Sequence, residues 1–141
     1  MRKNKVTLSL SPLALLTLAA CKGTQSSTFS ASSGRVEDGP LLNALAFLDY
    51  NDNGILDAGE PSVRTAADGS YSLTPTQAAY SIIAVTDETT VDTISGSFVP
   101  GITLKAPSNS SMVTPTTTLM EDGGLTAAQV VKVLGLPEGM N

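Results

Sequence analysis

Beyond Arg35, apolar and β-branched residues come in short runs divided by Gly, Pro, Asn and Asp, the pattern of a chain built from short strands. The runs predict strands near 41–49, 62–67, 70–74, 79–86, 91–95 and 101–106. Leu41 to Asp49 is nearly apolar on both alternating faces, which places it centrally in a sheet. A buried helix is the competing reading for it, but the abrupt Asp/Asn/Gly run that follows leaves little length for one. Tyr80, Ile82 and Ala84 alternate with Ser81, Ile83 and Val85, as a strand buried between two layers requires. Asp68-Gly69, between Val63–Ala66 and Tyr71–Leu73, has the chemistry of a tight hairpin turn. The expected fold is mainly β, a small antiparallel β-sandwich.

The pattern changes after Val113. Thr114-Pro115 suits the opening of a helical turn, with Pro at its first position. Thr126-Ala-Ala-Gln129 has capping-box spacing ahead of Val130, Val131, Val133 and Leu134, and Gly135 is the stop signal. So short a helix is marginal alone, since isolated helices below about 12–15 residues rarely hold in water. Two readings stay open for residues 114–141: a short helical segment packed on the sandwich, or the start of a truncated second domain.

The N-terminus follows neither pattern. Arg2, Lys3 and Lys5 precede an apolar run from Val6 to Ala20 that is short for a bilayer span and has the layout of an export signal. It ends in Leu18-Ala19-Ala20-Cys21, which resembles the lipobox of bacterial lipoproteins. The resemblance implies that residues 1–20 are a signal peptide and that Cys21 carries lipid as the first mature residue. Two or three acyl chains give stable membrane attachment where one does not. By the same resemblance the location is the cell envelope, membrane-anchored, with the outer membrane favoured in a Gram-negative source because Lys22 replaces the Asp of inner-membrane retention. Residues 21–34, the lipidated Cys and a Ser/Thr-rich stretch with little to bury, read as a flexible tether of roughly 20 Å reach. The folded module is expected over 35–113.

Composition narrows the chemistry. After residue 20, five basic residues (Lys22, Arg35, Arg64, Lys105, Lys132) face thirteen acidic ones, a formal net charge of −8. That balance argues against nucleic acid and favours cations as partners. With no His and a single Cys, Ser/His/Asp and Cys/His catalysis, histidine-ligated zinc and an intramolecular disulfide are excluded. The adjacent acidic pairs Glu37/Asp38, Asp87/Glu88 and Glu121/Asp122 point to opposite faces if they lie in strands and read as solvated surface. No catalytic residue is assigned, and the expectation is a protein that is not an enzyme.

One segment carries a complete chemical pattern. Asp49-Tyr-Asn51-Asp-Asn53-Gly54-Ile55-Leu56-Asp57-Ala-Gly-Glu60 matches the calcium-loop spacing D-x-[DN]-x-[DN]-G-x₅-E. Side-chain oxygens of Asp49, Asn51 and Asn53 are placed to converge on one ion, Gly54 permits the sharp turn, and Ile55 offers its backbone carbonyl. Asp57 acts directly or through water, and Glu60 closes the shell with two oxygens. Hard oxygen donors in that number suit Ca²⁺ better than Mg²⁺. The plainer alternative is a solvated Asx-rich loop that needs no metal. The flanks, a strand-like run before and Pro61 after, favour a structural site over a sensor that opens a groove.

From Asn43 through Pro61, then Ala67-Asp-Gly-Ser-Tyr-Ser-Leu73, the chain is similar to the calcium-binding B-type repeats of bacterial serine-aspartate adhesins, over roughly residues 35–106. The resemblance implies a prealbumin-like or immunoglobulin-like β-sandwich in a cell-surface protein, with loop carboxylates matching Asp49, Asp57 and Glu60. Those repeats usually place a further strand between the acidic loop and the hairpin, whereas this chain passes almost directly from Glu60 to Val63. The expected function is a membrane-anchored lipoprotein module, stabilised by calcium, that presents or spaces other parts, with adhesion as one role and a surface protein or glycan as its ligand. The alternative is a carbohydrate- or peptide-binding accessory domain of a larger exported enzyme, with Tyr50, Tyr71 and Tyr80 available for stacking.

Overall fold

The computed structural model describes residues 28–135. The expected signal peptide, Cys21 and residues 22–27 of the tether lie outside them. The described chain runs β1 (Ser32–Val36), β2 (Leu41–Leu42), β3 (Leu45–Asp49), β4 (Ser62–Arg64), β5 (Ser70–Leu73), β6 (Ser81–Val85), β7 (Val91–Asp92), β8 (Thr103–Pro107), β9 (Met112–Val113), α1 (Pro115–Gly123) and α2 (Ala127–Val133). The strands form a four-stranded sheet in the order β4-β3-β6-β8, a three-stranded sheet β5-β1-β9, and a two-stranded pair β2-β7.

Alternation along the strands explains the layers. Ala46, Leu48, Ile82, Ala84, Leu104 and Ala106 leave one face of the four-stranded sheet and meet Val36, Tyr71, Leu73 and Val113 of the three-stranded sheet in one core. Phe47 and Ile83, paired across β3 and β6, point to the opposite face and are equally buried. Both faces of the central pair are therefore shielded, as the continuous apolar runs required. The protein is mainly β and sandwich-like. One ladder departs from the antiparallel rule: β1 and β9 run parallel, an arrangement open to strands separated by a long stretch of chain.

Four details differ from the sequence expectation. The first strand starts at Ser32, inside the stretch read as tether, because Ser32–Arg35 pair with Leu73–Ser70 through backbone bonds that need no apolar side chain. The run 41–49 is broken at Asn43, which takes a left-handed φ of 66°. Thr65 satisfies the break, its carbonyl accepting from Asn43 N–H at 3.0 Å and its hydroxyl from Ala44 N–H at 2.9 Å. The chain can thus leave the β2-β7 pair and enter the four-stranded sheet as β3. The 91–95 strand stops at Asp92, whose carboxylate accepts from Ile94 N–H at 2.8 Å and turns the backbone.

The fourth difference concerns the Asp68-Gly69 turn. It forms, with Gly69 at φ 75° and its N–H on the Ala66 carbonyl at 2.9 Å. The strands on its two sides do not pair as a hairpin, however, since β4 joins β3 while β5 joins β1. The turn is a corner between the sheets.

The two helices open where the cap residues sit. Thr114 caps α1 with Pro115 inside the first turn, Thr126 caps α2, and each cap is reciprocated from its N3 side chain, Thr117 or Gln129. Helix α1 packs along β8: Thr117 Oγ1 donates to the Lys105 carbonyl at 2.7 Å, and Lys105 N–H donates to Thr118 Oγ1 at 2.8 Å. Threonine hydroxyls so occupy backbone positions that a further strand would otherwise fill, which protects the β8 edge. Val130 of α2 is buried. Among the described residues no helix is long and apolar enough to cross a membrane.

Candidate metal centre

Strand β3 delivers Asp49 to the rim of the four-stranded sheet opposite Ser81 of β6. The residue is only 1% exposed. Its carboxylate organises the turn that follows: Oδ1 accepts from the backbone N–H groups of Asp52 at 2.7 Å, Asn51 at 3.1 Å and Asn53 at 3.3 Å, and Oδ2 accepts from Gly54 N–H at 2.7 Å. Gly54 holds φ 73° with open space where a Cβ would stand, so conformation and not crowding calls for glycine there.

The remaining polar side chains turn toward one another. Asn51 Nδ2 and Asn53 Nδ2 both donate to Asp57 Oδ2, at 2.8 and 2.7 Å. Glu60 reaches back across the loop, Oε1 accepting from Tyr50 N–H and Oε2 from Asp57 N–H at 2.9 Å each. Asp49, Asn51, Asn53, Asp57 and Glu60 thus belong to one hydrogen-bonded loop. Ile55, counted for its carbonyl, directs its side chain to solvent and donates its N–H to Asn53 Oδ1 at 2.8 Å. In this arrangement the carboxylates serve the loop's own donors. Among the described residues no group of three or more His, Cys, Asp or Glu side chains is gathered closely enough to hold a metal ion.

Side-chain oxygens of this kind are the donors a hard cation takes. The charge balance also favours it: among the described residues, no Lys or Arg pairs with Asp49, Asp57 or Glu60. Three carboxylates in one short loop therefore lack a cationic side-chain partner among the described residues. Beside them lies an open depression of about 350 Å³, lined by Tyr50, Asn51, Asp57, Glu60, Gln77 and the small residues Ala58 and Gly59. Tyr50 is fixed by an edge-to-face contact with Tyr80, ring centroids 6.5 Å apart, and by bonds between its hydroxyl and Thr76.

Other sequence candidates have local duties. The Thr89 hydroxyl and backbone N–H, with Arg64 at 2.6 Å, hold the Asp87 carboxyl down at about 2. Tyr71 is buried, with its hydroxyl toward the Ser110 carbonyl, so it is not exposed for stacking. Asp52 holds the loop position that points outward and is not counted among the ligands, as its spacing leads one to expect, whereas Gln77 and Lys105 gave no sign in the sequence. Asp52 faces outward at φ 60°, and its carboxylate meets Lys105 Nζ at 2.6 Å. Lys105 holds Asp52 below the usual carboxylate range, and Asp52 in turn raises Lys105. Compared with protein-family models, curated proteins and solved structures, the chain matches none.

Proposed function

We propose that this chain is a membrane-anchored surface lipoprotein whose β-sandwich is a structural calcium-binding module that presents or spaces other parts at the cell envelope, with adhesion as the role its resemblance favours. One observation supports the metal half of the reading: Asp49, Asp57 and Glu60 share one loop with the full calcium spacing, and among the described residues no Lys or Arg pairs with any of the three. Asp49, Asn51, Asn53, Asp57, Glu60 and the Ile55 carbonyl hold the ion. Ca²⁺ replaces loop hydrogen bonds with ion–oxygen bonds and pins the 49–60 segment to the rim of the sheet. The module does this without catalysis. Attachment comes from lipid on Cys21, supported by the Leu18–Cys21 lipobox pattern.

Calorimetric titration of the mature chain tests the metal reading. One site with Kd ~10⁻⁴–10⁻³ M for CaCl₂, as in extracellular modules, and weaker binding of MgCl₂ are expected. Absence of calcium heat at millimolar protein overturns it. For the anchor, Cys21→Ser is expected to move the protein from the detergent phase to the aqueous phase, and unchanged partitioning overturns the lipid assignment. The depression beside Tyr50 favours a second reading as a glycan-binding accessory domain. Glycan-array binding that Tyr50→Ala abolishes separates it from a spacer.

A further inference from the structure

Asn53 precedes Gly54, and it alone among the chain's asparagines is followed by glycine. In such a pair the glycine backbone nitrogen, unshielded by any Cβ, can reach the carbonyl carbon of the asparagine side chain. Both residues are exposed, and a Cβ at Gly54 would meet nothing within 4 Å, so water has free access. All three groups that such a reaction uses are nevertheless engaged in the closed loop: the Gly54 N–H, the Asn53 carbonyl oxygen and the Asn53 amide nitrogen.

The Gly54 N–H donates to Asp49 Oδ2 at 2.7 Å. Attack requires this nitrogen to lose its proton, and the electron pair left behind lies along the former N–H direction. In the closed loop that direction is the Asp49 carboxylate and not Asn53 Cγ. A carboxylate so close also opposes a second negative charge on the nitrogen. Asn53 is restrained at both ends of its amide, with Oδ1 accepting from Ile55 N–H at 2.8 Å and Nδ2 donating to Asp57 Oδ2 at 2.7 Å. Ring closure needs the amide to turn its face to the nitrogen, which breaks these bonds. Asp49 itself is 1% exposed and belongs to β3, so the sheet and not the loop sets its position.

We infer that Asn53-Gly54 is a self-modifying site, converted to aspartate and isoaspartate when the loop opens, with Asp49 as the latch that holds the reaction off. The Gly54 nitrogen gives its proton to hydroxide and bonds to Asn53 Cγ. The Cγ–Nδ2 bond breaks, and the amide nitrogen takes a proton from water and leaves as ammonia. Water then adds to either carbonyl of the cyclic imide and breaks that carbonyl's bond to nitrogen. Opening at the main-chain carbonyl yields isoaspartate, whose backbone runs through the side chain and is one carbon longer; opening at the other yields aspartate. One water is consumed and one ammonia released, with no oxidant, cofactor or bound ion. Either product puts a carboxylate where the Asn53 amide donated to Asp57, and the two like charges repel. The loop therefore does not close again as before, and the change runs one way.

Peptide mapping by mass spectrometry tests this on the full mature chain, incubated in mildly alkaline buffer with EGTA throughout. The readout is conversion of amide to acid at Asn53, with isoaspartate among the products. Folded wild type is expected to react at least about tenfold more slowly than the same chain in urea. Asp49→Ala, its fold checked by circular dichroism, is expected to react about tenfold faster than folded wild type, the rate equivalent of one lost charge-assisted hydrogen bond. Where that variant fails to fold, Asp57→Ala decides: it changes an exposed side chain, frees Asn53 Nδ2 and is expected to raise the rate by about threefold. Folded wild type that reacts as fast as the unfolded chain overturns the latch. So does a folded Asp49→Ala, or in its place Asp57→Ala, that reacts at the wild-type rate. Conversion that maps to another asparagine, or that is missing at Asn53 even in urea, overturns the site itself.

Discussion

Replacing Asp49 by Ala separates what this carboxylate does for the backbone from what it does for a cation. It accepts four N–H groups, of which those from Asp52 and Gly54 are 2.7 Å long and those from Asn51 and Asn53 are 3.1 and 3.3 Å. Charge-assisted N–H···O bonds are strongest at about 2.7–2.9 Å, so the two short bonds carry most of the effect. Water reaches the loop, which calls for the low end of the range, about 1.5 kcal/mol each, or about 3 kcal/mol together. At about 4 °C per kcal/mol for a domain of this size, the variant melts about 12 °C below wild type in chelator. Calcium at about ten times a millimolar Kd adds about 1.4 kcal/mol to wild type, about 6 °C, and nothing to the variant. Thermal unfolding by circular dichroism, for both proteins in EGTA and in CaCl₂, reads all four values. Asp49→Asn keeps one acceptor oxygen, so it recovers part of the loss in EGTA but not the calcium response. A variant melting within about 2 °C of wild type in EGTA refutes the hydrogen-bond argument. Superimposable wild-type curves in EGTA and CaCl₂ refute the metal.

Gly69→Ala is expected to cost about 2–4 kcal/mol in urea unfolding, because a Cβ at φ 75° is strained and meets the Val36 carbonyl oxygen at 2.6 Å; a loss below about 0.5 kcal/mol contradicts the crowding. Burial, with a smaller contribution from Tyr80, pushes the Tyr71 hydroxyl up from 10.0 to about 12. Since its folded pKa lies above the unfolded one, the stability it contributes is complete below pH 10 and is lost as pH rises through about 12. Tyr71→Phe should flatten that alkaline limb of unfolding, and an unchanged slope would place the titration elsewhere.

Short-range signals in this sequence translated well into structure, and long-range ones did not. The caps at Thr114 and Thr126 are spelled by residues three apart, and the strands around Phe47 and Ile83 by alternation within a few positions, so local inspection suffices for them. Strand β1 has no such signal. Ser32-Ser33-Gly34 is polar and small, and its place depends on backbone bonds to β5 and on glycine, because a Cβ at Gly34 would lie 2.8 Å from Tyr71 Oη and 2.7 Å from the Ser111 carbonyl oxygen. The break at Asn43 likewise needs Thr65 to complete it. In the 49–60 loop, spacing marked the residues that share a hydrogen-bonded network, whereas the link from Asp52 to Lys105 joins positions remote in sequence and visible only after folding.

The earliest strand of the described chain lies between β5 and β9, and its parallel neighbour is among the last to be made. During synthesis β1 can find β5 early, but its other edge stays bare until Met112 and Val113 arrive. Completion of the sandwich therefore waits for nearly the whole module, and closing so wide a loop slows the approach to the native state. A nascent chain that ends short of Val113 would present an open β1 edge to whatever neighbour it meets, so premature termination exposes the molecule to strand exchange and clumping more than to a simple loss of the helices.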